Sequence, residues 1–437
     1  MNARAPDANP LDAWVAGCLG LAGGAFGRGE LVEWQMARLA DTVGWAKQRS
    51  PFYRRLLTDV DERALKSPAD LRRLPFTTAA DLRRNDPPLL CVSQSEISRV
   101  VTLDTSGTSG PPKRLFFTAD DQASTIDFFA VGMSVFTRPG DRVAILFPGE
   151  RPGSVGDLLA RALLRLGAEP IAAGWPVDPA ATAALIARER PDVVAGAPVA
   201  VLAVARCGPP MRVRSVLLSS DHAAASLRGA LAERWGCEVF EHYGMTETGL
   251  GGGVDCGAHA GYHMRENELL LEIVDPVSGQ PMAPGEAGEV VFTTLTRRGL
   301  PLIRYRTGDL SRVLPGECAC GSPLVRLQRI LGRIGAGVDT GVGTIAMAAL
   351  DEVLFAFPEV LDFTADYCPE PPPSLRLEVL VRERGGNLES LGAALADIPV
   401  LARAIAGRGL RLALNYADNR RLCSGAGKRR IALHNAP

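Results

Sequence analysis

The sequence predicts an α/β protein. A large N-terminal domain, residues 1–333, combines a doubly wound parallel sheet with an antiparallel β subdomain, and a small α+β domain, 334–437, follows. Three observations predict this. Between 121 and 240, short apolar runs alternate with segments of helical periodicity, the pattern of strand–helix–strand crossovers. From 269 the texture changes to short strands divided by Pro and Gly turns, the pattern of antiparallel pairing. Beyond 333 about 100 residues remain, enough for a separate small domain.

The elements follow in order. Residues 1–30 are rich in Pro, Ala and Gly and are expected to be loosely ordered. Leu31, Trp34, Leu39, Val43, Trp45 and Ala46 then fall at helical spacing, and Ser50-Pro51 ends that helix. Apolar runs at 97–103 and 115–117 read as two strands with a small-residue loop between them. Helices are expected over 121–136, 157–166, 180–190, 198–205 and 223–235. Strands are expected over 142–147, 169–173, 192–195, 215–218 and 238–240. The antiparallel subdomain takes strands at 269–274, 288–293 and 310–313. The last domain takes helices at 345–355 and 388–395 and strands at 375–381 and 411–414.

Composition narrows the function. The net charge of −1 gives no basic surface for nucleic acid. No apolar run reaches membrane-spanning length, and the N-terminus lacks a basic-then-apolar leader pattern. Nine cysteines scattered over 437 residues do not form a disulfide scaffold, which points to a reducing cytoplasm. Neither a nucleic acid nor a membrane is an expected partner, and a homodimer is compatible with the chain.

The loop 104–113 draws attention first. Thr105, Ser106, Gly107, Thr108, Ser109 and Gly110 offer hydroxyls, backbone N–H groups and flexible glycines, and Lys113 adds a positive charge. Such a loop can cradle a phosphate. Read alone it is equally a polar hairpin turn, and it lacks the Walker A order. Four further motifs change that balance: Tyr243-Gly244-Met245-Thr246-Glu247-Thr248-Gly249, Arg304-Tyr305-Arg306-Thr307-Gly308-Asp309-Leu310, Gly332-Arg333 and Gly427-Lys428. In that order the set resembles the AMP-forming adenylate ligases, the acyl-CoA synthetase superfamily, and within it the phenylacetate–CoA ligase branch. The likeness covers most of the chain.

That resemblance implies an ATP-dependent acid–CoA ligase acting through an acyl-adenylate, on an aryl or arylalkyl acid. It implies ATP, Mg²⁺ and coenzyme A as partners in the reaction. Glu247 matches the family's magnesium-binding glutamate, and Thr246 the threonine at the α-phosphate. Asp309 matches the ribose ligand, and Arg333 an arginine near ribose and phosphates. Glu241, His242, Tyr243 and Gly244 match the segment beside adenine, and Ser219 starts a weaker match with Ser220 and Asp221. Lys428 matches the catalytic lysine; a compact ammonium suits charge developing on phosphate oxygens. A basic tail is the competing description of Lys428, given Arg429 and Arg430 beside it.

The cysteines carry a second signal. Cys318 and Cys320 stand close in a turn, and Cys256 and His263 follow the Glu247 loop. Three thiolates and an imidazole suit tetrahedral, structural Zn²⁺. His259 competes with His263, and buried free thiols are the alternative to a metal. Some relatives resemble this pattern too. One departure stands out: relatives carry an acidic hinge residue soon after Gly-Arg, where this chain has Ile334-Gly335-Ala336. That leaves two alternatives open. One is an adenylating enzyme without CoA, resembling coenzyme F390 synthetases; the other is a non-catalytic paralogue.

Overall fold

A computed structural model describes residues 9–21, 24–103, 112–383, 388–417, 422 and 428–434. The expected phosphate-loop residues Thr105, Ser106, Gly107, Thr108, Ser109 and Gly110 lie outside the described residues, as do 423–427 before Lys428. The chain forms two compact units: Met1–Phe136 with His242–Leu331, and Thr137–Glu241 with Gly332–Pro437.

The second unit carries the parallel sheet. Its strands run in the order Glu169–Ala172, Arg142–Leu146, Val193–Gly196, Ser215–Leu218 and the start of Glu238–Tyr243, each parallel to its neighbour. Val193–Gly196 and Ser215–Leu218 are buried throughout, as strands covered by helices on both faces should be. The helices Val155–Leu166, Pro179–Glu189, Pro198–Cys207 and Ala225–Trp235 make the crossovers. Gly196 leaves no room for a side chain: a Cβ there would stand 2.6 Å from Val201.

The same unit holds a four-stranded sheet with the order Arg411–Tyr416, Ser374–Val381, Val360–Cys368, Ile431–Leu433. The middle pair is antiparallel and both outer pairs are parallel. Its inner face and the helix Pro198–Cys207 share one apolar core, with Val201, Leu202, Phe355, Phe363, Leu377 and Leu391 among its members. Arg206 is buried in this layer and donates to the carbonyls of Phe355 (2.7 Å) and Val360. Burial pushes its pKa down to about 10.

The first unit is mixed. Leu269–Val274, Gly288–Thr294 and Tyr305–Ser311 form an antiparallel set, as expected. The last of these begins at Tyr305 rather than at 310, so most of the Arg-Tyr-Arg-Thr-Gly-Asp motif is strand. Glu289 pairs with Leu310 but Val291 with Arg306, so a bulge lies between, and Gly308 adopts φ +78° there. The end of Glu238–Tyr243 pairs with Gly253–Val254, which pairs with Tyr262–Met264 and then Arg326–Leu327, all antiparallel. Ile97–Leu103 and Lys113–Thr118 form a hairpin in which Leu103 faces Lys113.

Residues 9–21 are more regular than composition suggests. Pro10–Cys18 is a helix with Pro at its first turn, and Asn9 caps it by accepting from Leu11 N at 3.1 Å. Leu11, Val15 and Ala16 are fully buried, so tertiary packing holds a segment whose Gly and Ala content hides the pattern. The sequence also passes over Val360–Cys368, Pro399–Arg408 and Ile431–Leu433. No single helix among the described residues is long and apolar enough to cross a membrane.

Candidate active site and metal centre

The Glu247 loop leaves the end of a strand and turns sharply. After Tyr243, Gly244 admits no side chain, because a Cβ would meet Leu250 O at 2.5 Å. Thr246–Thr248 then forms one 3₁₀ turn, closed by Gly249 at φ +75°. Glu247 is only 4% exposed, and its Oε1 accepts from Tyr305 Oη at 2.9 Å and from Lys113 Nζ. Burial raises the pKa of this carboxyl; the Lys113 charge and the bonds it receives outweigh that and hold it below the ordinary carboxylate range. Glu247 therefore stays ionised in an interior position. Thr246 is half-buried on the same turn.

Asp309 lies on the bulged strand, 2% exposed. Its Oδ2 accepts from Tyr243 Oη at 3.2 Å, and its N–H donates to Thr307 Oγ1 at 3.0 Å. Tyr243 stacks on Tyr262 with ring centroids 6.0 Å apart. The motif's first arginine is structural: Arg304 makes a two-pronged pair with Glu272 at 2.8 and 3.0 Å, donates to Leu74 O and lies over Phe76. His242 is flanked by Phe128 and Phe129, at centroid distances of 6.0 and 6.3 Å. Burial, then the Arg265 charge, push its pKa to about 4, so the ring is neutral at physiological pH. Phe128 and Phe136 are buried, and Phe129 is half-buried.

Lys113, His242, Tyr243, Gly244, Thr246, Glu247 and Asp309 thus belong to one unit. Ser219, Glu241, Arg333 and Lys428 belong to the other. There Glu241 is 4% exposed and pairs with Arg228 at 3.2 Å. Ser219 N donates to Gly196 O at 3.1 Å, at the end of a parallel strand. Arg333 and Lys428 are exposed. Arg429, next to Lys428, is anchored: its N–H donates to Asp221 Oδ2 at 3.0 Å, and its guanidinium meets Asp351 and Phe363 O.

Cys256, His263, Cys318 and Cys320 converge in the first unit, their ligand atoms all within 4.8 Å of one another. Cys256 Sγ lies 3.7 Å from Cys318 Sγ, and Cys320 Sγ lies 3.4 Å from His263 Nε2. All four residues are buried. His263 reaches the cluster because its strand pairs with Arg326 beyond the Cys318–Cys320 turn. His259 instead sits in a turn at φ +48° with Nδ1 3.3 Å from Asp255. Hydrogen bonds from Cys256 and His263 hold the Cys320 thiol well below its usual pKa, while the bond to Cys320 and burial push Cys256 up.

Comparison with known proteins decides the family. Residues 68–295 match the AMP-binding enzyme family. The phenylacetate–coenzyme A ligase of Thermus thermophilus is 32% identical over 342 residues, covering 75% of this chain and 76% of its own. The chain belongs to the AMP-binding enzyme family, on its phenylacetate–CoA ligase-like branch. The Escherichia coli phenylacetate–coenzyme A ligase is 28% identical over 83% of this chain and 81% of its own. Among solved structures, 2-hydroxyisobutyryl-CoA ligase in the postadenylation state matches with a TM-score of 0.77 at 22% identity, over 94% of this chain and 90% of that one. This last likeness establishes the shared fold.

In this AMP-binding enzyme a cavity of about 420 Å³ is lined by Thr118, Asp121, Ser124, Arg265, Glu268 and Arg297, among others. Among the described residues, Glu247, Tyr243 and Asp309 do not line it. Arg265, Arg297 and Thr125 stand in none of the sequence motifs yet bond directly to the Glu247 loop.

Proposed function

We propose that this chain activates an aryl or arylalkyl carboxylic acid and passes it to coenzyme A. A carboxylate oxygen of the acid attacks the α-phosphorus of ATP and pyrophosphate leaves. The thiol sulfur of CoA then attacks the acyl carbonyl, the bond to AMP breaks, and the thiol proton goes to solvent. The observation that carries this reading is the pair of buried carboxylates in one unit: Glu247, held by Lys113 and Tyr305, and Asp309, held by Tyr243. An anionic oxygen kept ionised inside the protein suits Mg²⁺, a hard cation that screens triphosphate charge when bound. Glu247 is its residue in this chain. Thr246 would meet the α-phosphate and Asp309 the ribose hydroxyls, and the Tyr243 ring would stack on adenine. Arg333, Ser219 and Glu241 would complete the nucleotide contacts, and residues 104–113 the phosphate cradle. Lys428 would place its ammonium on the oxygens where charge builds, from a small domain over 334–437.

A structural Zn²⁺ at Cys256, His263, Cys318 and Cys320 belongs to the same proposal. Metal–sulfur bonds near 2.3 Å and metal–nitrogen bonds near 2.0–2.1 Å put tetrahedral edges at about 3.8 Å for S–S and about 3.5 Å for S–N. The 3.7 and 3.4 Å separations fit those edges, and the first is too long for a disulfide. A cytoplasmic location suits free thiols of this kind.

The test is acid-dependent ATP–pyrophosphate exchange across a panel of aryl and arylalkyl acids, followed by AMP release with and without CoA. Exchange that needs the acid, with CoA-dependent AMP release, is expected. Lys428→Ala should lower exchange by about 10²–10³ while ATP still binds. Exchange without any thioester product would replace the CoA-ligase reading by an adenylating enzyme with another acceptor. No exchange with any acid would overturn both.

A further inference from the structure

Three consecutive carbonyls of the Glu247 loop are each engaged by a different buried donor. Arg297 Nη1 donates to Glu247 O at 2.8 Å, Arg265 Nη2 to Thr248 O at 2.5 Å, and Thr125 Oγ1 to Gly249 O at 2.9 Å. The donors come from separate elements. Thr125 is on the helix Ala119–Met133, Arg265 follows the strand Tyr262–Met264, and Arg297 follows the strand Gly288–Thr294. Arg265 is 4% exposed and Arg297 7%.

Burying two guanidiniums this close is costly, because each loses hydration and each repels the other. Burial accordingly pushes the pKa of both down, and Asp121 and Glu268 push it back. The surroundings are built to carry them. Arg265 Nη1 lies 3.1 Å from Glu268 and its guanidinium is over the Phe128 ring; Arg297 Nε lies 3.9 Å from Asp121 and its guanidinium is over Phe117. Gly249 clears the approach: a Cβ there would stand 2.7 Å from Arg297 Nη2. With counter-charge and ring supplied elsewhere, one N–H of each guanidinium serves the loop backbone. A 3₁₀ turn leaves its last carbonyls without intrahelical partners, so the loop has carbonyls to offer at these positions.

We propose that Arg297 and Arg265, with Thr125, are positioning residues that fix the backbone of the Glu247 loop so that the carboxylate stays at the point where it receives the divalent cation of ATP. This rests on the reading of Glu247 as the magnesium-binding glutamate. The side chain of Glu247 can be held at Lys113 and Tyr305 only if its Cα is held as well. Pinning the carbonyls at 247, 248 and 249 does that through the backbone, with donors other than the carboxylate's own partners.

The test reads cation binding rather than turnover. Mn²⁺ is titrated by electron paramagnetic resonance against the protein with α,β-methylene-ATP, for wild type, Arg297→Gln, Arg297→Lys, Thr125→Val, Glu247→Gln and the double variant Glu247→Gln/Arg297→Gln. Arg297→Gln is expected to weaken Mn²⁺ by about tenfold or more and Thr125→Val by about two- to tenfold, as single hydrogen bonds to charged and neutral donors are lost. Arg297→Lys should recover part of the loss. The double variant should bind no worse than Glu247→Gln alone, because the arginine acts through that residue. Lower melting with wild-type Mn²⁺ affinity in both Arg297→Gln and Thr125→Val would reduce the arginine to packing and overturn the proposal. A double variant that loses the product of the two single effects would overturn it equally. Thr125→Val is nearly isosteric and stands in if Arg297→Gln does not fold. Wild-type Mn²⁺ affinity in Glu247→Gln would instead overturn the underlying reading of Glu247.

Discussion

Lys113 pairs its ammonium with the carboxylate of Glu247 across 134 residues of sequence, with the side chains 14% and 6% exposed. One begins a hairpin strand and the other sits on a 3₁₀ turn, so the pair ties the end of the 104–113 loop to the loop expected to carry magnesium. A divalent cation arriving at Glu247 meets a carboxylate already neutralised by an ammonium. A cation held there would share Oε1 with Lys113, whose ammonium would then be free to meet a phosphate.

Lys113→Met tests that relationship through pH. Burial raises the pKa of Glu247, and the Lys113 charge is the largest opposing influence. In the wild type the folded-state value is below the unfolded one, near ~4.3. The group therefore contributes stability above that pH and loses it as pH falls through the folded value. Without Lys113, burial dominates and the carboxyl titrates higher. The acid limb of the pH profile for pyrophosphate exchange should move up by about 1–3 pH units. An unmoved acid limb would show that Lys113 does not set this charge.

The proposed zinc site predicts a composition as well as a stability. Metal analysis of purified protein should find about one zinc per chain. Cys318→Ser should lose the zinc and lower the melting temperature, because the cluster joins the segment after the Glu247 loop to the Cys318–Cys320 turn. Binding at isolated structural zinc sites contributes on the order of 10 kcal/mol to folding, so the loss should be visible in a thermal melt. His259→Ala should keep the zinc, since that ring faces Asp255. Zinc lost from His259→Ala but kept in His263→Ala would reverse the ligand assignment.

The parallel sheet was legible because each buried strand is a short apolar run set between helices of clear periodicity. Val360–Cys368 was not, because Asp362 interrupts its apolar pattern while being fully buried. That aspartate lies 3.6 Å from the Arg429 guanidinium, a partner 67 residues away that no local pattern reveals. Pro10–Cys18 was hidden by composition, and Ile431–Leu433 by its length of three residues. The site shows the same division. Glu247 and Asp309 stand in motifs of fixed order, whereas Arg265 and Arg297 act through backbone carbonyls from two distant turns. His263 was the expected ligand with His259 as its competitor, and strand pairing brings His263 to the three thiols.

Arg429 predicts a pH-dependent loss. Its guanidinium meets Asp351, lies 3.6 Å from Asp362 and covers the Phe363 ring at 4.3 Å. Burial pushes the Asp351 carboxyl up to about 6, against the lowering influence of Arg429. Arg429→Met takes away the cation that Asp351 meets and should cost about 3–5 kcal/mol at pH 8. Asp351 has a folded-state pKa above its unfolded value, so the folded state holds the extra proton and gains from acidification. The loss should shrink toward pH 5.5. Exchange activity should fall as well, since Arg429 anchors the residue beside Lys428. An equal loss of melting temperature at both pH values would show that packing, not charge, is what Arg429 supplies.

Gly335 and Gly337 are the last test, in the segment after Gly332-Arg333 where the resemblance implies a hinge. Both glycines offer backbone freedom on paper, but their settings differ. Gly335 adopts φ +71°, and nothing lies within 4 Å of a Cβ built there. A Cβ on Gly337 would stand 2.2 Å from Thr344 and 2.9 Å from Ile345 O, against the strand Thr344–Ile345. Gly337 is therefore a close-packing glycine, and Gly335 is the one whose conformation is special. Gly335→Ala has room but disfavours positive φ by roughly 1–2 kcal/mol. If residues 334–437 turn about this point between the two half-reactions, that penalty falls on one arrangement more than the other. The ratio of thioester formation to pyrophosphate exchange should then change by about five- to thirtyfold. Gly337→Ala should lower melting temperature and both rates in proportion. A wild-type ratio in Gly335→Ala would move the hinge elsewhere, because a pivot cannot absorb that penalty without shifting the balance of the states it joins.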